Sequence, residues 1–408
     1  MHPQEALDIM QKHGADLADR PRSVSSGEII SNDLLVLLAR YGDRLKRLRR
    51  ALHSQLQPSA AKEYQPLQYK HAKQCILDIL HEPEQHMGHV RRYAASVILS
   101  LVYGKKTPTR FSDPEVVAMN LSMKRIADCL RPGACLVDRF PFLKYLPTPE
   151  TRRLRSYRDE WMALFRSQFD VIRRQIAQGE DIPPSFSAYL LKYQSTYQLS
   201  DDEASSVTGE LFGAGTDTTA TAITFVSMAA ACYPHEQAKV QAQLDSIVGR
   251  TRAPNFDDQN ELPLVTAFLW EAHRWRPVSN GAPHRALRDI AWNGYVIPSG
   301  ATVLGNHWSI LRDPEVFPDP QAFRPDRWLD EHGQLKDDPK MLGFGFGRRS
   351  VYINTALLLW AFQISEDPSD PIDPMAFDGG ISVHIHPFKL RFQPRINNLE
   401  EALRHDSE

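Results

Sequence analysis

The sequence predicts a mainly α-helical protein with small β-sheets, and three observations support this fold class. Apolar residues recur at helical spacing from about residue 30 to residue 275, with turns such as Arg131-Pro132-Gly133 and Pro183-Pro184 between the segments. Beyond Pro277 the pattern is that of short strands around Asn293-Gly294, a pair that favours a tight hairpin. The 408 residues are 42% hydrophobic and 24% charged, which is enough for a large buried core.

Charge and cysteine content narrow the functional classes. A formal net charge of -2 gives no field that would attract nucleic acid or an anionic membrane surface. The four cysteines are scattered and form no CxxC pair, which favours a reducing compartment. No stretch approaches the roughly 18 consecutive apolar residues of a membrane span. We therefore expect a monomer that is soluble or peripheral to a membrane and has no nucleic-acid partner.

The longest predicted helix begins after Ser200 and runs to about Tyr233. Ser200 and Glu203 are spaced so that each caps a backbone amide of the other, and Pro234 ends the segment. At 1.5 Å per residue, such a helix is about 45 Å long and crosses a whole domain. Small and polar residues, Gly213 to Thr219, interrupt its middle.

Two interpretations of this interruption are open. Two glycines within a helix cost about 1 kcal/mol each relative to alanine, and the close approach of a flat ligand would offset that cost. Alternatively, the small residues permit close helix packing, and the hydroxyl groups bond back to the preceding turn.

The next predicted helix carries Glu271 and Arg274 three residues apart, so that they share a face. A lone pair of this kind is usually a solvent-exposed ion pair of little energetic value. The segment Phe323 to Trp328 contains Arg327, which provides a second arginine for the same carboxylate from a distant loop.

The C-terminal third is predicted to be irregular with short strands. We expect a strand at residues 301–304, an ordered loop over residues 312–328, and a final strand or hairpin within residues 381–392. His384 and His386 lie in this last segment, but two outward histidines without a third ligand argue against a metal site. We expect one domain over residues 1–408, with 395–408 a charged tail that frays.

Several of these motifs, in this order, resemble the cytochrome P450 family, in particular its fungal microsomal members of the O-methylsterigmatocystin oxidoreductase-like type. The segment Ala214 to Thr219 resembles the oxygen-activation motif of the family's central helix. The resemblance implies that Asp217 and Thr218 steer protons, that Ala214 and Gly215 border the haem, and that the fold is the P450 fold without part of the N-terminal sheet. It covers about residues 5 to 394.

The resemblance also implies a structural brace and a set of haem contacts. Glu271, Arg274 and Arg327 would form the brace beneath the haem. The residues that would contact haem b follow from the matching motifs: Arg49 in the WxxxR pattern, where Leu45 replaces the tryptophan; His284 or its neighbour Arg285; and Phe344 and Arg349 in the front half of FxxGxRxCxG.

The chain departs from the family where the iron ligand should be. In register with FxxGxRxCxG, the cysteine position is Val351 and the second glycine position is Ile353. A thiolate donates electron density that favours O–O cleavage, which valine cannot do. We expect an in-frame loss of roughly ten residues containing the cysteine. We also expect roughly a hundred residues to be absent at the start, including the endoplasmic-reticulum anchor typical of the family.

Three functional hypotheses follow. By resemblance, the chain is a haem-dependent monooxygenase that hydroxylates an apolar organic molecule, using O2 and electrons that NADPH supplies through NADPH–cytochrome P450 reductase. The second hypothesis is an inactive relative, or an incomplete gene product, without thiolate-ligated haem. The third, a helical binding or scaffold protein, does not explain the ordered motifs. Residues 107–199 carry no motif that names a substrate.

Overall fold

The computed structural model describes residues 3–53, 57, 62–106, 109, 110, 112–336, 347–378 and 382–404. Helices dominate, as the sequence predicts. The α-helices are α1 (Pro3–Leu7), α2 (Asp43–His53), α3 (Gln65–His81), α4 (His86–Tyr103), α5 (Pro114–Cys129), α6 (Leu136–Arg139), α7 (Pro149–Ala177), α8 (Phe186–Tyr197), α9 (Asp201–Cys232), α10 (Pro234–Ile247), α11 (Pro263–Trp275), α12 (His307–Ile310), α13 (Gly347–Ala361) and α14 (Leu399–Arg404).

The strands form small antiparallel pairs. They are β1 (Pro283–Arg285), β2 (Ile290–Trp292), β3 (Tyr295–Ile297), β4 (Thr302–Leu304), β5 (Phe362–Glu366), β6 (Phe377–Asp378), β7 (His384–Ile385) and β8 (Leu390–Pro394). β1 pairs with β4, β2 with β3, β5 with β8, and β6 with β7. The predicted hairpin is confirmed: Asn293 and Gly294 have φ of 48° and 78°, the left-handed conformations that a tight two-residue turn requires.

Helix α9 is the centre of the fold. Its N-terminus has the predicted capping box, in which the Ser200 hydroxyl accepts from the Glu203 amide at 3.2 Å and the Glu203 carboxylate accepts from the Ser200 amide at 2.9 Å. It ends at Cys232, because Pro234 begins α10. Helices α4, α7, α11 and α13 pack around it.

The largest apolar core lies between α9, α11 and α13. Helix α13 is buried from Ser350 to Ala361, and Ile353, Leu357 and Trp360 are each 0% exposed. This packing fixes the start of α13 beside the C-terminal half of α9.

The C-terminus differs from two expectations. The predicted final strand or hairpin is present as two strands that do not pair with each other, since β7 pairs with β6 and β8 with β5. The expectation that the charged tail frays is wrong for α14, in which Leu399 and Leu403 are 3% and 1% exposed. The segment is highly charged, but its two leucines are four residues apart and so share one buried face of an amphipathic helix.

Candidate functional site

One face of α9 remains open in the middle of the helix. Ala214 is exposed, and Gly215, Asp217 and Thr218 are half-buried. Their neighbours on the opposite face are buried: Phe212, Gly213, Thr216, Thr219 and Ala220. The residues predicted for oxygen chemistry therefore share one accessible stripe, as their helical spacing dictates.

The glycines of this segment meet side chains of neighbouring helices. A Cβ atom on Gly213 would lie 2.9 Å from Met123 Sδ of α5, and one on Gly215 would lie 2.7 Å from Ile98 Cδ1 of α4. Close packing thus accounts for both glycines, in line with the second of the two interpretations.

The threonine hydroxyls bond back to the preceding turn, as that interpretation also predicts. Thr216 Oγ1 donates to the Phe212 carbonyl at 2.8 Å, on the buried side. Thr218 Oγ1 donates to the Ala214 carbonyl at 2.7 Å, on the open side. The Thr218 hydroxyl thus has a fixed position on the open stripe.

Asp217 has a histidine neighbour from the C-terminal region. Its Oδ2 lies 3.9 Å from Nδ1 of His384, whose side chain is 50% exposed. Burial raises the pKa of Asp217, while the nearby His384 and Arg91 oppose that rise. Because His384 is half-exposed and lies beside Asp217, the two side chains connect solvent with the middle of α9.

The predicted brace residues are in direct contact. Glu271 and Arg274 are both 0% exposed, and Arg274 Nε and Nη2 each donate to the Glu271 carboxylate at 2.8 Å. Arg327 Nε donates to Glu271 Oε1 at 3.1 Å. Trp328 Nε1 donates to Oε2 at 3.0 Å, and the Arg324 amide donates to Oε1 at 2.8 Å. Sequence reasoning missed these last two contacts, although both residues flank Arg327.

The remaining donors of Arg274 hold the loop that follows α12. They bond to the carbonyls of Leu311, Pro320 and Ala322. A buried ion pair with all its hydrogen bonds satisfied is the favourable form of such a pair.

A cationic cluster, made up of Arg20, Arg49 and His284, forms where the N-terminal segment meets β1. Arg20 Nη1 lies 2.6 Å from His284 Nδ1 and 3.1 Å from Nε2. Burial lowers the pKa of His284, the hydrogen bond to the Leu17 carbonyl opposes this, and the positive charges of Arg20 and Arg49 lower the pKa further. Sequence analysis singled out Arg49 and His284 but not Arg20, for which no local pattern gives a signal.

Among the other predicted haem contacts, Arg285 and Arg349 are not part of the cationic cluster. Arg285 faces away from the cationic cluster and donates to Asp19 Oδ2 at 3.1 Å. Arg49 is exposed on α2, one turn after the buried Leu45. Arg349 is half-buried in the first turn of α13. Phe344 lies outside the described residues.

The cationic cluster has the chemistry to bind carboxylates. Arg20 donates to a neutral partner, the Leu37 carbonyl, and also contacts the ring of His284, whose Nδ1 lies 2.7 Å from the Leu17 carbonyl. Burial lowers the pKa of Arg20, and the like charge of Arg49 adds to this effect, while the carboxylates of Asp19 and Glu210 oppose it. An anion between these cations would relieve both penalties. The propionates of a haem fit this cluster.

The iron side of a haem does not fit the described residues. Val351 is 2% exposed and packs beside Phe225 and Leu269. The thiols are also unsuitable, because burial raises the pKa of Cys75, Cys129 and Cys232 to about 12 and so disfavours the thiolate. Within the described ranges, no cluster of three His, Cys, Asp or Glu residues is placed to bind a metal ion.

A cavity of about 320 Å³ adjoins the cationic cluster. Its walls come from the N-terminal segment, the end of α5 and β1, and its lining is mostly apolar with three arginines: Arg20, Pro21, Arg22, Ser23, Leu37, Leu38, Cys129, Leu130, Arg131, Pro132, Gly133, Asp138 and Pro283. A mainly apolar cavity with few polar groups is typical of a small-molecule site.

No helix among the described residues combines the length and the apolar content needed to cross a membrane.

Comparisons with known proteins point in one direction. The sequence model of the family described as Cytochrome P450 matches residues 1–350, and so ends directly before Val351. The chain is 53% identical to cytochrome P450 monooxygenase 64 of Postia placenta, over 98% of this chain and 83% of that protein. It is 51% identical to cytochrome P450 monooxygenase 113 of the same fungus, with the same coverage. A cytochrome P450 monooxygenase of Armillaria gallica is 33% identical, over 99% of this chain and 82% of its own length.

Proposed function

The chain belongs to the cytochrome P450 family, and from this premise we propose that it is built to hydroxylate an apolar organic molecule with O2. Of the O2 molecule, one oxygen atom enters the product and the other leaves as water, which requires two electrons and two protons. We propose NADPH as the electron source, acting through NADPH–cytochrome P450 reductase. Haem b, when bound, would supply the oxygen activation.

The observation that carries this proposal is the open stripe of α9. Thr218 and Asp217 lie on it, and His384 lies beside Asp217. We assign Thr218 and Asp217 to hold and deliver protons, because Thr218 carries an oriented hydroxyl and Asp217 has a raised pKa and a half-exposed histidine beside it.

The remaining residues have binding and structural roles in this proposal. Arg20, Arg49 and His284 would hold the haem carboxylates, and Ala214 and Gly215, both on the open stripe, would border the ring. Glu271, Arg274 and Arg327 would keep the loop after α12 in place. The apolar part of the cavity would receive the substrate, and its lining favours a molecule with few polar groups.

Val351 favours a second candidate function, a P450 relative without thiolate-ligated haem. A buried valine in the middle of a helix turn donates no electron pair to iron.

The test compares the native chain with a variant in which a loop containing Cys-x-Gly, the end of the FxxGxRxCxG signature, is inserted between Arg349 and Val351. We expect the native chain to lack the ferrous–carbon monoxide band of a thiolate-ligated haem, and the loop variant to show it. A loop variant that takes up no haem would contradict the monooxygenase proposal and favour the second candidate. A thiolate band from the native chain would show that the iron ligand has been misassigned.

A further inference from the structure

Glu210 is a half-buried acid on α9 that the proposed chemistry does not use. It lies one turn before Ala214, on the side of the cationic cluster. Its carboxylate accepts two consecutive backbone amides, Val36 N at 2.8 Å and Leu37 N at 3.0 Å. These amides belong to the stretch between Ser31 and Gly42, which has no helix or strand to hold it. Glu210 thus fixes an irregular segment to the central helix.

The fixed segment in turn holds Arg20. The Leu37 carbonyl accepts from Arg20 Nε at 3.1 Å, and Arg20 Nη1 lies 2.6 Å from His284 Nδ1. A continuous series of contacts therefore runs from Glu210 through Leu37 and Arg20 to His284. The same series passes the wall of the cavity, which Arg20 and Leu37 both line.

We propose that Glu210 is a positioning residue that acts through Leu37 to hold Arg20 in the cationic cluster. The geometric part of this proposal stands alone, and its consequence for cofactor carboxylates rests on the proposed function.

The chemistry of the contact favours a carboxylate at this position. Each of the two amides has its own acceptor oxygen here, Oε2 for Val36 N and Oε1 for Leu37 N, and a carboxylate provides both. Glutamine offers one oxygen and places an NH2 group against the second amide, while alanine offers neither. Burial raises the pKa of Glu210 to about 7, and the two amides and the charge of Arg20 oppose this rise. The half-buried Glu210 thus accepts from two amides for which the described residues of this segment provide no other hydrogen-bond acceptor.

The first readout is the pKa of His284, measured by NMR of labelled histidine in the full chain without cofactor. Arg20→Gln removes a positive charge beside His284, so its pKa rises. If Glu210 holds Arg20 in place, Glu210→Ala raises the pKa of His284 too, and Glu210→Gln raises it less. Loss of the Glu210 charge alone would leave the pKa of His284 unchanged or lower it, so the direction of the shift separates the two effects.

The matched control is Asp138→Asn. Asp138 also accepts two consecutive amides of the N-terminal region, Val24 N at 2.6 Å and Ser25 N at 3.0 Å, but it lies outside the series of contacts that reaches Arg20. This variant should leave the pKa of His284 unchanged. An unchanged or lowered His284 pKa in both Glu210 variants, with the signal of His384 still native, would overturn the proposal.

The second readout is the binding of iron-free protoporphyrin IX, followed by fluorescence quenching. We expect Glu210→Ala to weaken binding about tenfold, as expected for a displaced charge-assisted contact. The double variant Arg20→Gln/Glu210→Ala should bind no more weakly than Arg20→Gln alone, because both changes remove the same contact. Fully additive losses would overturn the proposal.

The two readouts test different claims: the pKa of His284 tests whether Glu210 positions Arg20, and porphyrin binding tests the role of the cationic cluster. If the native chain binds no porphyrin while Glu210→Ala raises the pKa of His284, the assigned role of the cationic cluster fails and the positioning role of Glu210 stands.

Discussion

Glu271 joins two distant parts of the chain through a single side chain. Its two oxygens accept from Arg274 on the same helix and from Arg324, Arg327 and Trp328 more than fifty residues later. Both charges of the Glu271–Arg274 pair are fully buried, so the pair is useful only while it is complete.

Glu271→Gln should therefore lower the free energy of unfolding by about 3–5 kcal/mol, because it leaves the Arg274 charge buried without its counter-ion. Equilibrium urea unfolding measures the change. The control is Lys124→Ala, which removes an ion pair whose side chains are 70% and 42% exposed. That change should cost less than about 1 kcal/mol. Equal losses in the two variants would contradict the brace.

Residue-level prediction from sequence succeeded where contacts are local or carried by a motif. Glu271 and Arg274 are one turn apart on a helix, so their contact follows from spacing, and Arg327 was added from its motif. Glu210, Arg20 and Trp328 were missed. Glu210 accepts from backbone amides of an irregular segment, and Arg20 donates to a backbone carbonyl of the same segment. No pattern of side chains in the sequence predicts such contacts.

At the scale of elements, α9 was predicted with nearly correct ends because its start and stop signals are local. Ser200, Glu203 and Pro234 specify those ends without reference to the rest of the fold. The meaning of its glycines could not be predicted in this way, since close packing and a flat ligand require the same small residues. The partners of β7 and β8 were also unpredictable from alternation alone, because pairing depends on which strand the fold brings alongside.

Gly209 provides a test of close packing on α9. A Cβ atom there would lie 2.2 Å from the Phe165 ring of α7, and Phe165 is 0% exposed. Gly209→Ala should therefore destabilise the protein by about 1–3 kcal/mol through overpacking, measured as a lower midpoint of urea unfolding.

The comparison is Gly88→Ala in α4, where the nearest atom to the new Cβ is Gln85 Oε1 at 3.9 Å. With space available, alanine should stabilise that helix by about 0.5–1 kcal/mol. Stabilisation by both substitutions would show that α7 does not press on α9 as described.

At the scale of the whole molecule, Asp19 connects the N-terminal segment to distant elements. It accepts from Arg40 Nη2 at 3.0 Å, from the Tyr41 amide at 2.7 Å and from Arg285 Nη1 at 3.1 Å. Burial raises the pKa of Asp19, but these hydrogen bonds outweigh it and hold the pKa at about 2.

A depressed folded-state pKa stabilises the protein above the unfolded-state value of 3.8, and this contribution is lost as the pH falls towards 2. The native chain should therefore lose stability between about pH 4 and pH 2 more steeply than Asp19→Asn. Urea midpoints across this range measure the difference. The control is Asp43→Asn, whose side chain is 91% exposed and which should follow the native curve. Parallel curves for the native chain and Asp19→Asn would contradict the role of Asp19.

The contacts of Leu17, Asp19 and Arg20 with His284 and Arg285 also constrain the order of events on the ribosome. The partners are separated by more than 260 residues of sequence. At a synthesis rate of about 5–20 residues per second, the emerging N-terminal segment spends on the order of ten to fifty seconds without them. During that interval its arginines and its buried carboxylate are accessible to chaperones, so this part of the cationic cluster cannot become native before His284 and Arg285 have been synthesised.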